Sequence, residues 1–314
     1  MDTDSSGHLL YTGPMAAPTI TERFPPLPLT EVIDRIRQFP TADSESRQVT
    51  ISAFVASHPI TCYDWGGAWR YRRARSIEAK QVLSDVSELI WRADQPAKLG
   101  RANPAGFPIL YLADRRDTAL SEIRLDEGEV VLTEFRIRHD RAARVAPIGE
   151  MATIQRTGRG YLAGADAAPI SDMINACPQD AARSMLIVDA FLLSCLINTD
   201  DDYALSSSVA LAVFDKLPGL ATVVFPSQRQ TGALNFAVRH DAVWRDWGIV
   251  SVRAAHARHL AMGHYELSKV RHVSGITREG SLRWDDTIDD LNAIQLLNPP
   301  WHPLNPAPSG GDQT

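Results

Sequence analysis

The strongest constraint on the fold of this chain is the order in which its hydrophobic patterns change along the sequence. Residues 109–112 form a short apolar run typical of a buried strand, and residues 118–125 then repeat apolar side chains at helical spacing. Residues 129–138 alternate apolar and polar side chains, which is typical of a half-exposed strand. The remaining predicted elements are helices over 181–197 and 202–217 and strands over 221–225, 234–238 and 248–253. Helices grouped in the middle, with strands on both sides, favour an α+β fold over a regular βαβ repeat.

Both ends of the chain differ in composition from this middle. The residues up to about 28 are rich in proline, threonine and small side chains, and we expect them to form a loose arm. Thr30 is predicted to cap a short helix that Pro40 ends, and a polar break follows over 41–47. Residues 298–314 contain five prolines and two glycines, the composition of a tail that need not pack. We therefore expect an N-terminal arm with a short helix over 1–50, a central domain over 51–275, and a C-terminal extension with a proline-rich tail over 276–314.

The composition is that of an ordinary globular protein, and it argues against several functions. A net charge of −6 over 314 residues argues against a protein built mainly to bind nucleic acid, because such binding rests on cationic side chains. Three separated cysteines follow no metal-ligand spacing, which indicates a reducing compartment. The first ten residues are acidic and polar, so we expect no secretory signal and a cytoplasmic location. The most apolar stretch, 185–198, is too short to span a bilayer and contains Asp189, so it is predicted to be a buried helix without a membrane role.

The most informative motif begins with a turn and ends on a helix. The tetrapeptide Gly-Arg-Ala-Asn at 100–103 precedes the predicted strand that contains Tyr111, and the helix after that strand carries Glu122. Taken singly, Arg101 is typical of a turn, Tyr111 of a core, and Glu122 of the solvated face of a helix. Their order, with spacings of ten and eleven residues, is more informative than any one of them.

This motif resembles the RES domain, a family named for an arginine, a glutamate and a serine. Members typically show a Gly-Arg-x-Asn turn, a strand ending near a tyrosine, and a helix that bears the glutamate. The resemblance extends from about residue 69 to residue 240, and it implies catalytic roles for Arg101, Tyr111 and Glu122. Ala102 stands where the common variant of the turn has tryptophan.

A run of arginines resembles the entry strand of the same family. Residues 71–75 read Tyr-Arg-Arg-Ala-Arg, and the aromatic-Arg-x-Arg pattern is best matched with Arg73 and Arg75 as the paired arginines. Arg70 and Arg72 offer competing registers. The resemblance therefore implies that Arg73 and Arg75 bind the substrate, and it leaves open which of these arginines faces a cleft.

The late part of the resemblance contains a serine and an asparagine. Ser227 follows a predicted strand, and Asn235 lies on the next one, as in the family. Asp202 and Tyr203, at the start of a predicted helix, are also typical. Ser227 can exchange a hydrogen bond with the nicotinamide ribose, and it is not assigned as a nucleophile because no Gly-x-Ser-x-Gly elbow surrounds it.

The residue types suit NAD, the substrate that the resemblance implies. Guanidinium groups hold phosphate oxygens in bidentate fashion, so Arg73, Arg75 and Arg101 are expected at the pyrophosphate. Cleavage of the glycosidic bond develops positive charge on the ribose, and the carboxylate of Glu122 would stabilise that charge. Tyr111 would supply an aromatic wall and one hydroxyl group.

By resemblance, the implied fold is that of the ADP-ribosyltransferases, an α+β core of two small packed β-sheets with helices around an NAD cleft. The first hypothesis is that the chain degrades NAD by phosphorolysis or hydrolysis, with NAD as substrate rather than as cofactor. The alternatives are an ADP-ribosyltransferase that modifies a protein and a catalytically silent module that binds a partner. Family members of known role are toxins of bacterial toxin-antitoxin pairs, so inorganic phosphate and an antitoxin protein are the further expected partners.

Two weaker patterns predict neither a metal ion nor a redox cofactor. His256, His259 and His264 form a cluster, but no His-Glu-x-x-His motif or companion acid completes a zinc site. Gly158 and Gly160 are a lone glycine pair without a preceding strand, which predicts a loop rather than a dinucleotide-binding turn. No cofactor is therefore expected, and NAD is expected as a substrate.

Overall fold

The computed structural model of the chain describes residues 19–91, 96–197, 203–285 and 294–303. The helices in these ranges are Ile20–Arg23 (α1), Leu29–Gln38 (α2), Ser44–Ser57 (α3), Arg116–Glu122 (α4), Glu150–Thr157 (α5), Ala168–Asn175 (α6), Gln179–Ile197 (α7), Tyr203–Lys216 (α8) and His240–Asp246 (α9). The strands are Tyr63–Trp65 (β1), Tyr71–Ser76 (β2), Ile109–Ala113 (β3), Glu127–Ile137 (β4), Ala143–Pro147 (β5), Thr222–Pro226 (β6), Leu234–Arg239 (β7), Trp247–Ala261 (β8), His264–Ile276 (β9) and Leu282–Asp285 (β10). Helices and a mixed sheet confirm the predicted α+β class.

The strands of the described ranges form one sheet. Its order is β1-β5-β6-β7-β3-β2-β4-β8-β9-β10, and neighbouring strands are antiparallel except for β5 and β6. The two central strands, β2 and β3, are joined by a single residue pair, Arg72 with Ala113. The resemblance implies two small packed sheets; here this single pair links two groups of five strands into one sheet. Residues of both strands, 72–74 of β2 and 111–113 of β3, border one cavity beside this joint.

Two large hydrophobic clusters hold this sheet in place. In the first, α2, α3, α7 and α8 pack against β5, β6 and β7, with Phe54, Leu192 and Phe225 among the buried side chains. In the second, the buried side chains include Phe135 of β4 and Trp247 of β8. Each such side chain stabilises the fold by roughly 1.5–3 kcal/mol through burial. The first cluster packs helices on β5, β6 and β7, whereas the second contains residues of both groups of strands, such as Leu112 of β3 and Val252 of β8, and so holds the two groups together across the joint.

The N-terminal helices differ in detail from the sequence prediction. The short helix exists as α2, but Pro28 precedes it, and Thr30 lies inside the helix rather than at its cap. Much of the polar break predicted over 41–47 is helical instead. The Asp43 side chain accepts a hydrogen bond from the Ser46 N–H and thereby begins α3. Val32 is fully buried in the first cluster, so α2 packs on the body of the protein.

The central strands and helices confirm most of the predicted elements, and two segments extend further than expected. Strand β8 continues to Ala261 and forms a long hairpin with β9. The chain near Trp301 pairs with β8, because the N–H groups of Ile249 and Trp301 each donate to the other residue's carbonyl at 2.8 Å. Of the predicted proline-rich tail, residues 298–303 are described and are attached to the sheet through Trp301, whereas residues 304–314 lie outside the described residues, as does Asp202.

The apolar helix α7 carries one buried acid, Asp189. Its carboxylate accepts hydrogen bonds from the backbone N–H groups of Gly149 at 3.0 Å and Ala152 at 2.9 Å, at the start of α5. His58 Nε2 lies 3.3 Å from the same carboxylate. Asp189 therefore ties three segments together inside the core. Among the described helices, none combines the length and apolar composition that crossing a membrane requires.

Candidate active site

The Gly-Arg-Ala-Asn turn is closed by its own backbone and by Tyr111. Gly100 and Asn103 exchange two backbone hydrogen bonds, at 2.9 and 3.2 Å. The hydroxyl of Tyr111 accepts from the Ala102 N–H at 2.8 Å and donates to Asn103 Oδ1 at 2.7 Å. Burial raises the pKa of Tyr111, so the hydroxyl stays protonated and able to donate. The turn therefore has a fixed shape, and the Tyr111 hydroxyl is engaged in maintaining it.

The side chain of Arg101 extends from this turn to the C-terminal end of α7. Its Nη1 donates to the carbonyl oxygens of Leu196 and Ile197, both at 2.9 Å, and its Nη2 donates to Gln228 Oε1 at 2.9 Å. The guanidinium carbon lies 5.5 Å from the centre of the Tyr203 ring. A cation suits the carbonyl end of a helix, where the helix dipole is negative. These contacts hold the guanidinium in one place.

Glu122 is the last residue of α4, and its carboxylate is bound from two other elements. Ser227 Oγ donates to Glu122 Oε1 at 2.6 Å, and Asn235 Nδ2 donates to the same oxygen at 2.6 Å. Ser227 Oγ also accepts from the backbone N–H groups of Arg229 and Gln230, both at 3.1 Å. Residues from α4, β7 and the turn after β6 therefore fix one carboxylate oxygen.

The side chains of Arg73 and Arg75, both on strand β2, donate hydrogen bonds to different parts of the chain. Arg73 donates to the carbonyl oxygens of Tyr111 and Ile90, both at 3.3 Å, and its Nε is buried with no hydrogen-bond partner in the described part of the chain. Burial and, to a smaller extent, the charge of Arg75 lower the pKa of Arg73 to about 10, so Arg73 remains protonated at neutral pH. Arg75 donates instead to the carbonyl of Glu88.

Most of the residues described above border one cleft, about 290 Å³ in volume, at the joint between β2 and β3. The structure brings Arg73, Arg101, Tyr111, Glu122 and Asn235 to its lining, with Ser227 directly behind Glu122. Arg75 is outside this lining, whereas its neighbour Arg72 takes part in it. The lining residues are Arg72, Arg73, Ala74, Gly100, Arg101, Tyr111, Leu112, Ala113, Ala119, Glu122, Ile123, Arg124, Tyr203, Phe225, Pro226, Gln228, Arg229 and Asn235.

Several lining residues were not predicted from the sequence. Arg124 lies in the left-handed region with φ +55°, directly after the helix that ends at Glu122. Gln228 and Arg229 follow Ser227 in the turn between β6 and β7. Their proximity in sequence to Glu122 and Ser227 is the signal that could have suggested them. Tyr203 stands at the start of a predicted helix, and only the tertiary structure shows that it contacts Arg101.

The histidine cluster lies on the long hairpin of β8 and β9. His256 lies between two acids, with Nε2 3.1 Å from Glu127 and Nδ1 3.1 Å from Glu129. Hydrogen bonds with the two acids raise the pKa of His256, and the bond with Glu127 contributes more than that with Glu129. The ring of His259 packs 5.1 Å from that of Tyr265. Among the described residues, no group of three metal-ligating side chains is placed to hold an ion.

Gly100→Ala is expected to disturb the turn that presents Arg101. A Cβ atom at Gly100 would lie 2.6 Å from Asn103 Oδ1 and 2.7 Å from the Tyr111 hydroxyl oxygen, so both groups must move. We expect a loss of about 1–3 kcal/mol in the free energy of unfolding, measured by urea denaturation. Gly219→Ala is the matched control, because a Cβ there meets no atom within 4 Å. Equal stability of the two variants would contradict this account of the turn.

Of three comparisons with known proteins, one found a match, and its range contains the residues of this cleft. The family model described as the RES domain matches residues 68–261, which include every residue of the cleft lining. A search of curated proteins and a search of solved structures found no match. The family model covers more than half of the chain and includes the arginine, tyrosine, glutamate and serine described above. The chain belongs to the RES domain family.

Proposed function

We propose that this chain cleaves the bond between nicotinamide and ribose in NAD, with phosphate or water as the acceptor. One observation carries the proposal: Arg101 and Glu122, which the sequence separates by a strand, line the same cleft. The acid Glu122 and the arginines of the cleft lining suit different parts of NAD, so we assign the nicotinamide ribose to the part beside Glu122. Membership of the RES domain family supports a role connected with NAD.

Glu122 is the group that we assign to the charge that develops during the reaction. Departure of nicotinamide leaves positive charge on the ribose, and a fixed carboxylate stabilises that charge more in the transition state than in the ground state. Ser227 and Asn235 hold one oxygen of Glu122, which limits the reorganisation that would otherwise accompany the reaction. The Ser227 oxygen accepts two backbone hydrogen bonds, and these favour a positioning role over a nucleophilic one.

The cationic side of the cleft is assigned to the phosphate groups of NAD. Arg73 has a buried Nε without a partner in the described ranges, and a phosphate oxygen would satisfy such a donor. Arg101 and Arg72 add positive charge to the same lining. The resemblance implies Arg75 as a substrate ligand, but Arg75 donates to a carbonyl outside the cleft lining. We therefore propose that Arg72, rather than Arg75, is the second arginine of β2 that binds the substrate.

Tyr111 is assigned a positioning role. Its hydroxyl is bound to Ala102 and Asn103, so it holds the turn in place rather than contacting a ribose. Its ring borders the cleft and supplies apolar area to a bound ligand. In this account Tyr111 acts on the substrate mainly through Arg101, which the same turn carries.

Incubation of the purified chain with NAD, with and without phosphate, tests the proposal. NMR of the products should show free nicotinamide together with ADP-ribose 1″-phosphate for phosphorolysis, or with ADP-ribose for hydrolysis. Label from NAD on a protein would instead indicate ADP-ribosyl transfer. Unchanged NAD after prolonged incubation would contradict the enzymatic proposal and favour a silent partner-binding module.

The proposal extends to the role of the chain in a cell. An enzyme that destroys NAD is harmful to its host, which accords with a toxin that acts in the cytoplasm and is restrained by an antitoxin protein. Expression of the chain in bacteria should therefore lower the NAD pool and stop growth. A normal NAD pool in cells that accumulate the folded protein would contradict the toxin role.

A further inference from the structure

Glu134 on β4 is a buried carboxylate that contacts three guanidinium groups. Arg70 Nη1 lies 3.3 Å from Oε2, and Arg72 Nε and Arg253 Nη2 lie 3.2 and 3.4 Å from Oε1. Glu134 is 1% exposed and Arg253 is 5% exposed. One carboxylate compensates one of the three positive charges, so the cluster retains an excess of positive charge around the buried Arg253, whereas Arg72 is partly buried and Arg70 is partly exposed. Such a charge is unfavourable unless an anion approaches it.

Arg253 shows this lack of compensation most directly. Its Nε is buried and has no hydrogen-bond acceptor among the described residues. Burial lowers the pKa of Arg253, Glu134 raises it, and the charges of Arg116, Arg72 and Arg70 lower it further. The guanidinium groups therefore repel one another in an environment that screens charge poorly.

The same groups border a second cavity, about 320 Å³ in volume, which we call the arginine pocket. Its lining consists of Arg72, Arg115, Arg116, Asp117, Glu134, Arg253 and Ile294. Four arginines and two acids give this lining an excess of two positive charges. Arg116 lies at the accessible side, because its side chain is 41% exposed whereas that of Arg253 is 6% exposed.

The arginine pocket is separate from the cleft that contains Glu122. The two linings share Arg72 and no other residue. Arg72 belongs to the pair that joins β2 and β3, and its Nη1 donates to the carbonyl oxygens of Arg70 and Asp114. A ligand of the arginine pocket therefore need not occupy the cleft.

We propose that the arginine pocket binds a phosphate-type oxyanion, either inorganic phosphate or the phosphate group of a nucleotide. Guanidinium groups present several N–H donors in a plane and hold phosphate oxygens in pairs. The excess positive charge of the lining would be compensated by such a dianion. Arg116, whose Nε donates to Asp117 at 2.9 Å, places an exposed cation at the pocket, and the buried Arg253 and the partly buried Arg72 provide further positive charge. This proposal does not depend on NAD cleavage.

Equilibrium dialysis with radioactive orthophosphate at constant ionic strength tests the arginine pocket. The full chain should bind phosphate saturably, and Arg116→Gln should weaken that binding about tenfold through loss of a charge-assisted hydrogen bond. Arg115→Gln should weaken it in the same direction. Arg258→Gln is the matched control, because Arg258 is an exposed arginine on β8 that pairs with Glu266 outside both cavities. Thermal unfolding of each variant verifies that it is folded.

The outcomes distinguish this proposal from the proposed enzymatic function. Equal phosphate affinity in Arg116→Gln and the unaltered chain would overturn it, since phosphate held in the cleft would persist in that variant. Adenosine monophosphate in place of orthophosphate identifies the source of the anion: tighter binding that Arg116→Gln weakens assigns a nucleotide, and similar binding assigns free phosphate. Either result can occur whether or not the chain consumes NAD.

Discussion

Glu122→Gln should lower the rate of NAD cleavage on the order of 10³-fold while leaving the fold intact. Glutamine has nearly the shape of glutamate, and its carbonyl oxygen can still accept hydrogen bonds from Ser227 and Asn235. It lacks the negative charge that would stabilise the positive ribose in the transition state. The loss should therefore appear in kcat, with a smaller effect on KM, in an assay of nicotinamide release.

Glu266→Gln is the matched control for this experiment. Glu266 is an exposed acid on β9 that pairs with Arg258, and it lies outside the cleft. The control variant should cleave NAD at the rate of the unaltered chain. If Glu122→Gln and Glu266→Gln consumed NAD equally fast, the assignment of the cleft would fail even though the activity itself remained.

Asp189→Ala should lower the free energy of unfolding by about 3–5 kcal/mol, the cost of breaking a buried pair of charged or hydrogen-bonded groups. The substitution leaves the N–H groups of Gly149 and Ala152 without their acceptor inside the core, and it removes the partner of His58. Thermal unfolding should show a midpoint lower by roughly 10 °C.

Asp215→Ala provides the comparison for this stability experiment. Asp215 is an exposed acid on α8, so its removal should change the midpoint by no more than about 1–2 °C. An Asp189→Ala protein as stable as the Asp215→Ala protein would show that the buried carboxylate does not hold α5 to α7. A midpoint lower by the expected amount would support its role as a link between these helices.

Local patterns in the sequence predicted most of the secondary structure near the cleft. The apolar run at 109–112 and the helical spacing that follows correspond to β3 and α4, because strand and helix periodicities depend on residues close in sequence. The helix that contains Asp189 was predicted as buried, and it is α7. The N-terminal segment was harder to predict, since the helix after Asp43 is polar at its start and is stabilised by a side-chain cap.

Sequence patterns did not predict the contacts that the side chains of the candidate site make with one another. Arg101, Tyr111 and Glu122 were recognised by their order, but the hydroxyl of Tyr111 closes the turn, which no spacing indicates. The choice between Arg72 and Arg75 depends on how β2 pairs with its neighbours, because a shift of one residue reverses the face of a strand. The arginine run was visible in the sequence, whereas its arrangement around Glu134 was not.

The sequence by itself determined the α+β class and the family, since these depend on residue types, order and periodicity. Only the tertiary structure decided that the strands form one sheet joined at Arg72 and Ala113. It also decided that Ser227 and Asn235 meet at one oxygen of Glu122, and that Arg253 approaches Glu134. The physical reason is that these contacts join residues far apart in sequence, by 105 to 119 positions for those at Glu122 and Glu134. Their geometry is set by strand pairing and core packing rather than by local propensity.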